Sequence, residues 1–163
     1  MALDSAHAHP ALIDALEDLP PADSQRVVVS IQRALDALPD AAEATEFRGL
    51  PVVVRDAWVV HLPTGPIVVA RAARLRNLEA AAHEELRFLV LEQEQPRIVA
   101  RVAGDEELVE SWDLLAVLLA ERGPVLAIAR EGVRSLQLEL VARDGGEWRS
   151  VWRSDGLVCP SPK

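Results

Sequence analysis

Apolar positions recur at helical spacing twice near the start of the chain. Leu12, Ile13, Leu16 and Leu19 form one face of a short helix over residues 11–19. Pro10 suits its first position, and Pro20-Pro21 ends it, because proline lacks the N–H donor and restricts the residue before it. Val27, Val28, Ile31, Leu35 and Leu38 repeat the period over 24–38, with Asp23 or Ser24 as the cap and Pro39 as the stop. From Leu50 the period falls to two. Pro51–Arg55, Ala57–Leu62 and Ile67–Ala70 are β-branched runs, the last two separated by the turn Pro63-Thr64-Gly65-Pro66, and they predict a three-stranded meander.

Residues 72–85 are rich in Ala, Leu, Glu and Arg and predict a second main helix, with Leu75, Leu78 and Ala82 on one side. The next segment is open to two readings. Residues 86–95 either extend that helix, or Leu86–Glu92 is a strand whose hairpin partner is Arg97–Val102; Phe88, Val90 and the loop ending at Pro96 favour the strand. Asp105 then caps a third helix over 106–122, with Leu108, Trp112, Leu115 and Leu119 on one face and Gly123 as its stop. The end reads as β again. Val125–Arg130, the alternating Leu136, Leu138 and Leu140, and Glu147–Arg153 after Asp144-Gly145-Gly146 form a C-terminal three-stranded meander.

The expected fold class is therefore α+β: a mostly antiparallel sheet packed by helices 24–38, 72–85 and 106–122. The expected organisation is a single domain over 1–163. It has an acidic helical segment at 1–22, an α-βββ-α-ββ-α core at 23–122, a β-meander at 123–155 and a tail at 156–163. Half of the 163 residues are hydrophobic, enough apolar surface to offset the entropy cost of folding, so a disordered chain is excluded.

Charge narrows the partners. The formal net charge is −9, and residues 1–47 hold nine acids against Arg26 and Arg33 alone. Such a chain repels phosphate backbones and anionic bilayers, so nucleic acid and membrane are disfavoured partners. Sixteen of the seventeen basic residues are Arg, which fits a GC-rich coding sequence and weakens any argument from Arg enrichment. The opening Met1-Ala2-Leu3-Asp4-Ser5 lacks a basic, apolar leader, so the expected location is cytoplasmic.

Candidate chemistry is sparse. Cys159 is the lone cysteine, so no intrachain disulfide or CxxC zinc knuckle can form, and no histidine lies in its own segment to activate it. His7-Ala8-His9 lacks a third ligand nearby. Glu79 and His83 fall four apart on the expected helix, and His61 lies on a strand that could pass close, so these three are the candidate ligands for a metal or small molecule. The bland reading of Glu79 and His83 is a surface helical pair, since the second histidine of HExxH is absent. No nucleophile elbow, kinase set or phosphate cradle is present, so no catalytic residue and no cofactor is assigned. Arg71, Arg74 and Arg76 cluster at the expected helix start and are the candidate nucleic-acid contacts. Trp148 and Trp152 fall on one strand face and Arg149 and Arg153 on the other, which suits core packing over an interleaved stacking platform.

The order helix, three strands, helix, two strands, helix over residues 24–122 resembles the type III secretion chaperone-like fold, including its YbjN-like bacterial members. The most similar stretch is Glu85–Arg122, from Leu86-Arg87-Phe88-Leu89 through Ile98-Val99-Ala100-Arg101 to Leu108, Trp112 and Leu115. The resemblance covers about sixty per cent of the chain in element order and no residue motif. It implies a non-enzymatic homodimer that holds another polypeptide, and transfers no site residues. The leading expectation is a cytosolic protein-binding module, chaperone-like or regulatory, whose surplus apolar stripes are covered by dimerisation. The alternatives are a ligand- or metal-binding enzyme around His61, Glu79 and His83, and a nucleic-acid binder using Arg71, Arg74 and Arg76.

Overall fold

The computed structural model describes residues 9–38, 46–77, 82–105, 110–132 and 135–158. In chain order the elements are β1 (His9–Pro10), β2 (Leu12–Ala15), α1 (Pro21–Asp36), β3 (Val53–Leu62), β4 (Gly65–Asn77), β5 (Ala82–Glu92), β6 (Gln95–Asp105), β7 (Ser111–Ala120), β8 (Gly123–Gly132), β9 (Ser135–Asp144), β10 (Glu147–Arg153) and β11 (Leu157–Val158). A single 3-10 turn, Leu16–Asp18, separates β2 from α1. Among the described residues there are thus one α-helix and two antiparallel sheets, and the expected α+β arrangement of three helices on a sheet is corrected. No helix of the described residues is long and apolar enough to cross a membrane.

The chain divides into two compact units, Leu12–Val109 and Met1–Ala11 with Glu110–Lys163. In the first, β2-β3-β4-β5-β6 form a meander whose neighbours in space are neighbours in sequence. The helix lies on one face of it. Ile31, Ala34 and Leu35 of α1 pack on Ala57, Ala70, Ala72, Leu89 and Leu91. The alanines explain why this part of β4 is a strand despite its helix propensity. They are small residues at alternate positions on one face, and they make a shallow seat on which a helix can lie close. Ile31 and Leu35 are fully buried there and each contributes about 1.5–3 kcal/mol of transfer free energy. Sheet pairing on both sides outweighs the intrinsic preference of an Ala-Arg-Leu segment, so 72–77 and 82–85 are strand and the expected helix over 72–85 does not form.

The other face of this sheet is buried too, at Val60, Val69, Phe88 and Val90. A strand buried on both faces reads as a continuous apolar run, which is why Leu86–Leu91 fits helix and strand equally well by period. The strand reading is the one found, with β6 as the hairpin partner. The runs at 51–55 and 57–62 merge into β3, with Arg55 inserted as an extra residue between the pairs Val54↔Ala72 and Asp56↔Arg71. Helix α1 begins at Pro21, ahead of the expected cap at Asp23 or Ser24. Pro20 occupies the N-cap with no side-chain bond, and Ser24 Oγ instead donates to the Pro21 carbonyl at 3.1 Å.

In the second unit the sheet order is β1-β7-β8-β9-β10, and β11 also pairs with β9. The expected helix 106–122 is corrected over its described part: Ser111–Ala120 is β7, paired with β8 from Ser111↔Glu131 to Ala120↔Gly123. Its apolar run Trp112–Leu119 satisfies a helical period by composition, yet only Trp112 and Val117 are buried, and Leu115 sits at a bulge and is 55% exposed. The helix expected over 11–19 is likewise replaced by β2 and the 3-10 turn. The C-terminal meander appears as β8, β9 and β10, extended by β7.

Candidate interaction surface

The sequence candidates for a ligand site are not brought together. His61 pairs in register with Pro66 near one end of β4, and His83 with Arg76 near the other. Ten residues of strand separate those levels, about 33 Å at the usual rise. His61 Nε2 lies 2.7 Å from Asp14 Oδ2, and His83 Nδ1 lies 3.7 Å from Glu46 Oε2. Glu79, His7 and Cys159 fall outside the described residues. Among the described residues no group of three or more His, Cys, Asp or Glu side chains could hold a metal ion.

The three arginines are also separated. On a strand, Arg74 and Arg76 share a face and Arg71 points the other way. Arg71 Nε donates to Asp56 Oδ2 at 2.8 Å, Arg76 Nη1 to Glu46 Oε2 at 3.2 Å, and Arg74 is buried opposite Glu85. They do not make one basic patch.

What the alternation in Glu85-Leu86-Arg87 builds instead is a buried ion network, missed because the segment reads as a charged helix end. Glu85 is fully buried, and both its carboxylate oxygens accept from Arg87 Nη2 at 3.0 Å, while Arg101 Nε also donates to it. The cleft beside Arg74, Glu85 and Arg87 leaves no room for a water molecule, so these groups fasten β4, β5 and β6 together and do not form a binding pocket. A second polar tie joins Arg55 Nη2 to Glu84 Oε1 at 3.0 Å on the opposite face. A groove of about 430 Å³ runs between the start of α1 and β3, over Leu16, Val28 and Trp58. Its two charged β3 residues, Arg55 and Asp56, are both engaged in ion pairs.

The feature that departs furthest from ordinary burial lies in the second unit, on β9. Gln137, Glu139 and Val141 share one face of that strand, and Leu136, Leu138 and Leu140 share the other. The polar residue faces inward: Glu139 is buried and accepts from Arg153 Nη2 at 2.8 Å, whereas Leu138 is 46% exposed. The register extends the apolar side across the sheet. Leu138 stands beside Ala129 and Leu140 beside Ala127 on β8, and Ala127 beside Ala116 on β7, with Leu118 two strands away from Ala142.

Trp152 joins this leucine face. A bulge between Ser150 and Trp152 shifts β10 by one residue, so Trp148 pairs with Arg143 and Trp152 with Leu140. The two tryptophans therefore lie on opposite faces, correcting the expectation that they share one. Trp148 is buried, and Trp152 is 49% exposed against the leucines. The strand edge itself is poorly suited to pairing with another chain, since β10 carries charges and the bulge, and Ser154 Oγ accepts from the Leu138 N–H at 2.9 Å.

Charges border the face at both ends, and Asp113 of β7 stands beside Ala129 within it. Glu131 is level with Leu136 at one end, and Asp144 is opposite Glu147 at the other. Arg149 is held there by Glu147, with Nε donating to Oε2 at 3.1 Å. That hydrogen bond, with the carboxylate's charge, raises the guanidinium's pKa further above its ordinary value, so Arg149 is permanently cationic. No family model matches this chain, and neither the curated proteins nor the solved structures contain a match to it.

Proposed function

We propose that this chain is a non-enzymatic protein-binding module of the cytoplasm, and that it contacts a partner polypeptide through the leucine face of β9. The observation that carries the reading is the inverted polarity of β9, with Glu139 buried and Leu136, Leu138 and Trp152 exposed. Exposed leucines scattered singly need no explanation, but a row of them on one face, opposite a buried carboxylate, is a surface built to be covered. The separation of His61 from His83, and the pairing of Arg71 and Arg76 with acids, leave the ligand and nucleic-acid readings without an assembled site.

The test is native mass spectrometry of the protein purified gently from its own kind of cell without chelator, compared with a Leu138→Glu variant. The expected result is a polypeptide retained by the natural sequence and lost from the variant. A stoichiometric metal or small molecule, retained equally by both, overturns the reading and returns attention to the histidines.

A further inference from the structure

We infer that the β-bulges of this chain guard its open strand edges, and stop one copy of the chain from adding to another edge to edge. The inference goes beyond the protein-binding reading and does not depend on it. Placement is the first argument. In the first unit the ladder between β4 and β5 runs unbroken from Val68↔Leu91 to Asn77↔Ala82, and the extra residues are Arg55 on β3 and Val99 on β6. In the second unit the ladder between β8 and β9 is likewise unbroken, and the extra residues are Leu115 on β7 and Val151 on β10. An extra residue bends whichever strand of a pair it enters. All four sit on the outer strand of their pair.

Coverage is the second argument. β2 pairs with β3 only from Trp58 to His61. β1 pairs with β7 only at Leu118 and Leu119, with one more bond from the Ala11 N–H to the Val117 carbonyl. Arg55 and Leu115 both lie beyond that cover, and β6 and β10 have no strand outside them among the described residues. Each bulge therefore interrupts a row of outward N–H and C=O groups that an added strand needs in regular register.

β6 shows what a bulge withholds. Residues 98–104, Ile-Val-Ala-Arg-Val-Ala-Gly, hold one charge, and that side chain, Arg101, is turned to the buried Glu85. Ile98 and Ala103 are exposed. An 11-residue edge strand of such composition, if regular, is a template for a further strand.

The registers also supply the test. Ile98↔Leu89 and Ala100↔Phe88 flank Val99, and Ser150↔Val141 and Trp152↔Leu140 flank Val151. Deleting either extra residue closes the ladder and leaves the partner and the face of every other residue as they are. The two deletions are made separately in the full chain, with Val99→Ala and Val151→Ala as controls that keep the bulge and trim its side chain. Each variant is checked for native circular dichroism, then followed by size-exclusion chromatography with light scattering as concentration rises.

The expected result is that both deletion variants associate to at least about twice the mass of the natural chain, while both alanine variants match it. Amide hydrogen exchange in the shortened outer strand is expected to slow by about tenfold or more on association, which places the contact at the edge instead of a face. A natively folded deletion variant that keeps the natural mass overturns the inference for its edge. Association that leaves exchange in the outer strand unchanged overturns it too, as do alanine variants that associate as far as the deletions. Loss of the native fold in both deletion variants shows that the hairpins need their bulges to fold, and overturns the guard as well. The partner polypeptide, read from Leu138→Glu, is a separate outcome.

Discussion

Glu85 and Arg87 lie two residues apart on β5, point to the same face, and form an ion pair in which Arg87 Nη2 donates to both carboxylate oxygens at 3.0 Å. Both are almost wholly removed from solvent, Arg87 Nε has no hydrogen-bond partner, and Arg101 closes on the same carboxylate. One buried anion therefore serves two guanidinium groups, the buried Arg87 and the part-buried Arg101. Removing it is costly, because the arginines stay behind without their counter-charge. Glu85→Ala is expected to lose about 3–5 kcal/mol of stability, and Glu85→Gln less, since the amide oxygen still accepts. Urea denaturation monitored by circular dichroism measures both. A Glu85→Ala loss below that of an ordinary surface substitution would show the network to be dispensable.

Stability and binding separate on β9. Leu138 is exposed and Val141 is buried on the opposite face, three residues along the same strand. Leu138→Glu is expected to stay within about 0.5 kcal/mol of the natural stability while losing the partner polypeptide. Val141→Glu places an unpaired carboxylate in the interior and is expected to unfold the second unit. Melting curves beside a binding assay distinguish the two outcomes, and a strongly destabilised Leu138→Glu would mean that its side chain serves the fold instead of a partner.

The seat of α1 tolerates no added volume. Ala70 and Ala72 are buried in one cluster with Ile31 and Leu35, so Ala72→Leu is expected to cost about 1–3 kcal/mol by overpacking it. Ile31→Ala, which leaves a cavity at the same contact, is expected to cost about 2–5 kcal/mol. Chemical denaturation of each variant provides the measurement, with the double variant as a check, since neighbours sharing a contact do not add.

Two hairpin turns predict opposite signs. Gln93 and Glu94 join β5 to β6 at φ 49° and 64°, a left-handed geometry in which ordinary side chains are strained. Gln93→Asn with Glu94→Gly supplies the residues that such a turn favours and is expected to stabilise by about 0.5–2 kcal/mol. Gly145 and Gly146 hold φ 58° and 91° between β9 and β10, so Gly146→Val is expected to destabilise by about 1–2 kcal/mol. Thermal melts of the two variants should move in opposite directions.

The strands at 53–62 and 123–153, the turn at Gly145-Gly146 and the apolar stripe of α1 were legible because each is signalled locally, by period, β-branching or a glycine that only a turn requires, whereas 86–92 left helix and strand both open. Segments 72–85 and 111–120 were not. Their alanines and leucines satisfy a helical period and a helical propensity of a few tenths of a kcal/mol per residue, and both advantages vanish once neighbouring strands supply a full ladder of hydrogen bonds. Locally, then, the chain determined its acidity, its lack of paired cysteines, its turns and most strand positions. Only tertiary structure decided which side of each strand is inside. A single inserted residue at Arg55, Leu115 or Val151 reverses every side chain beyond it, and it is that reversal which puts Trp152 beside the leucines while Glu139 is buried.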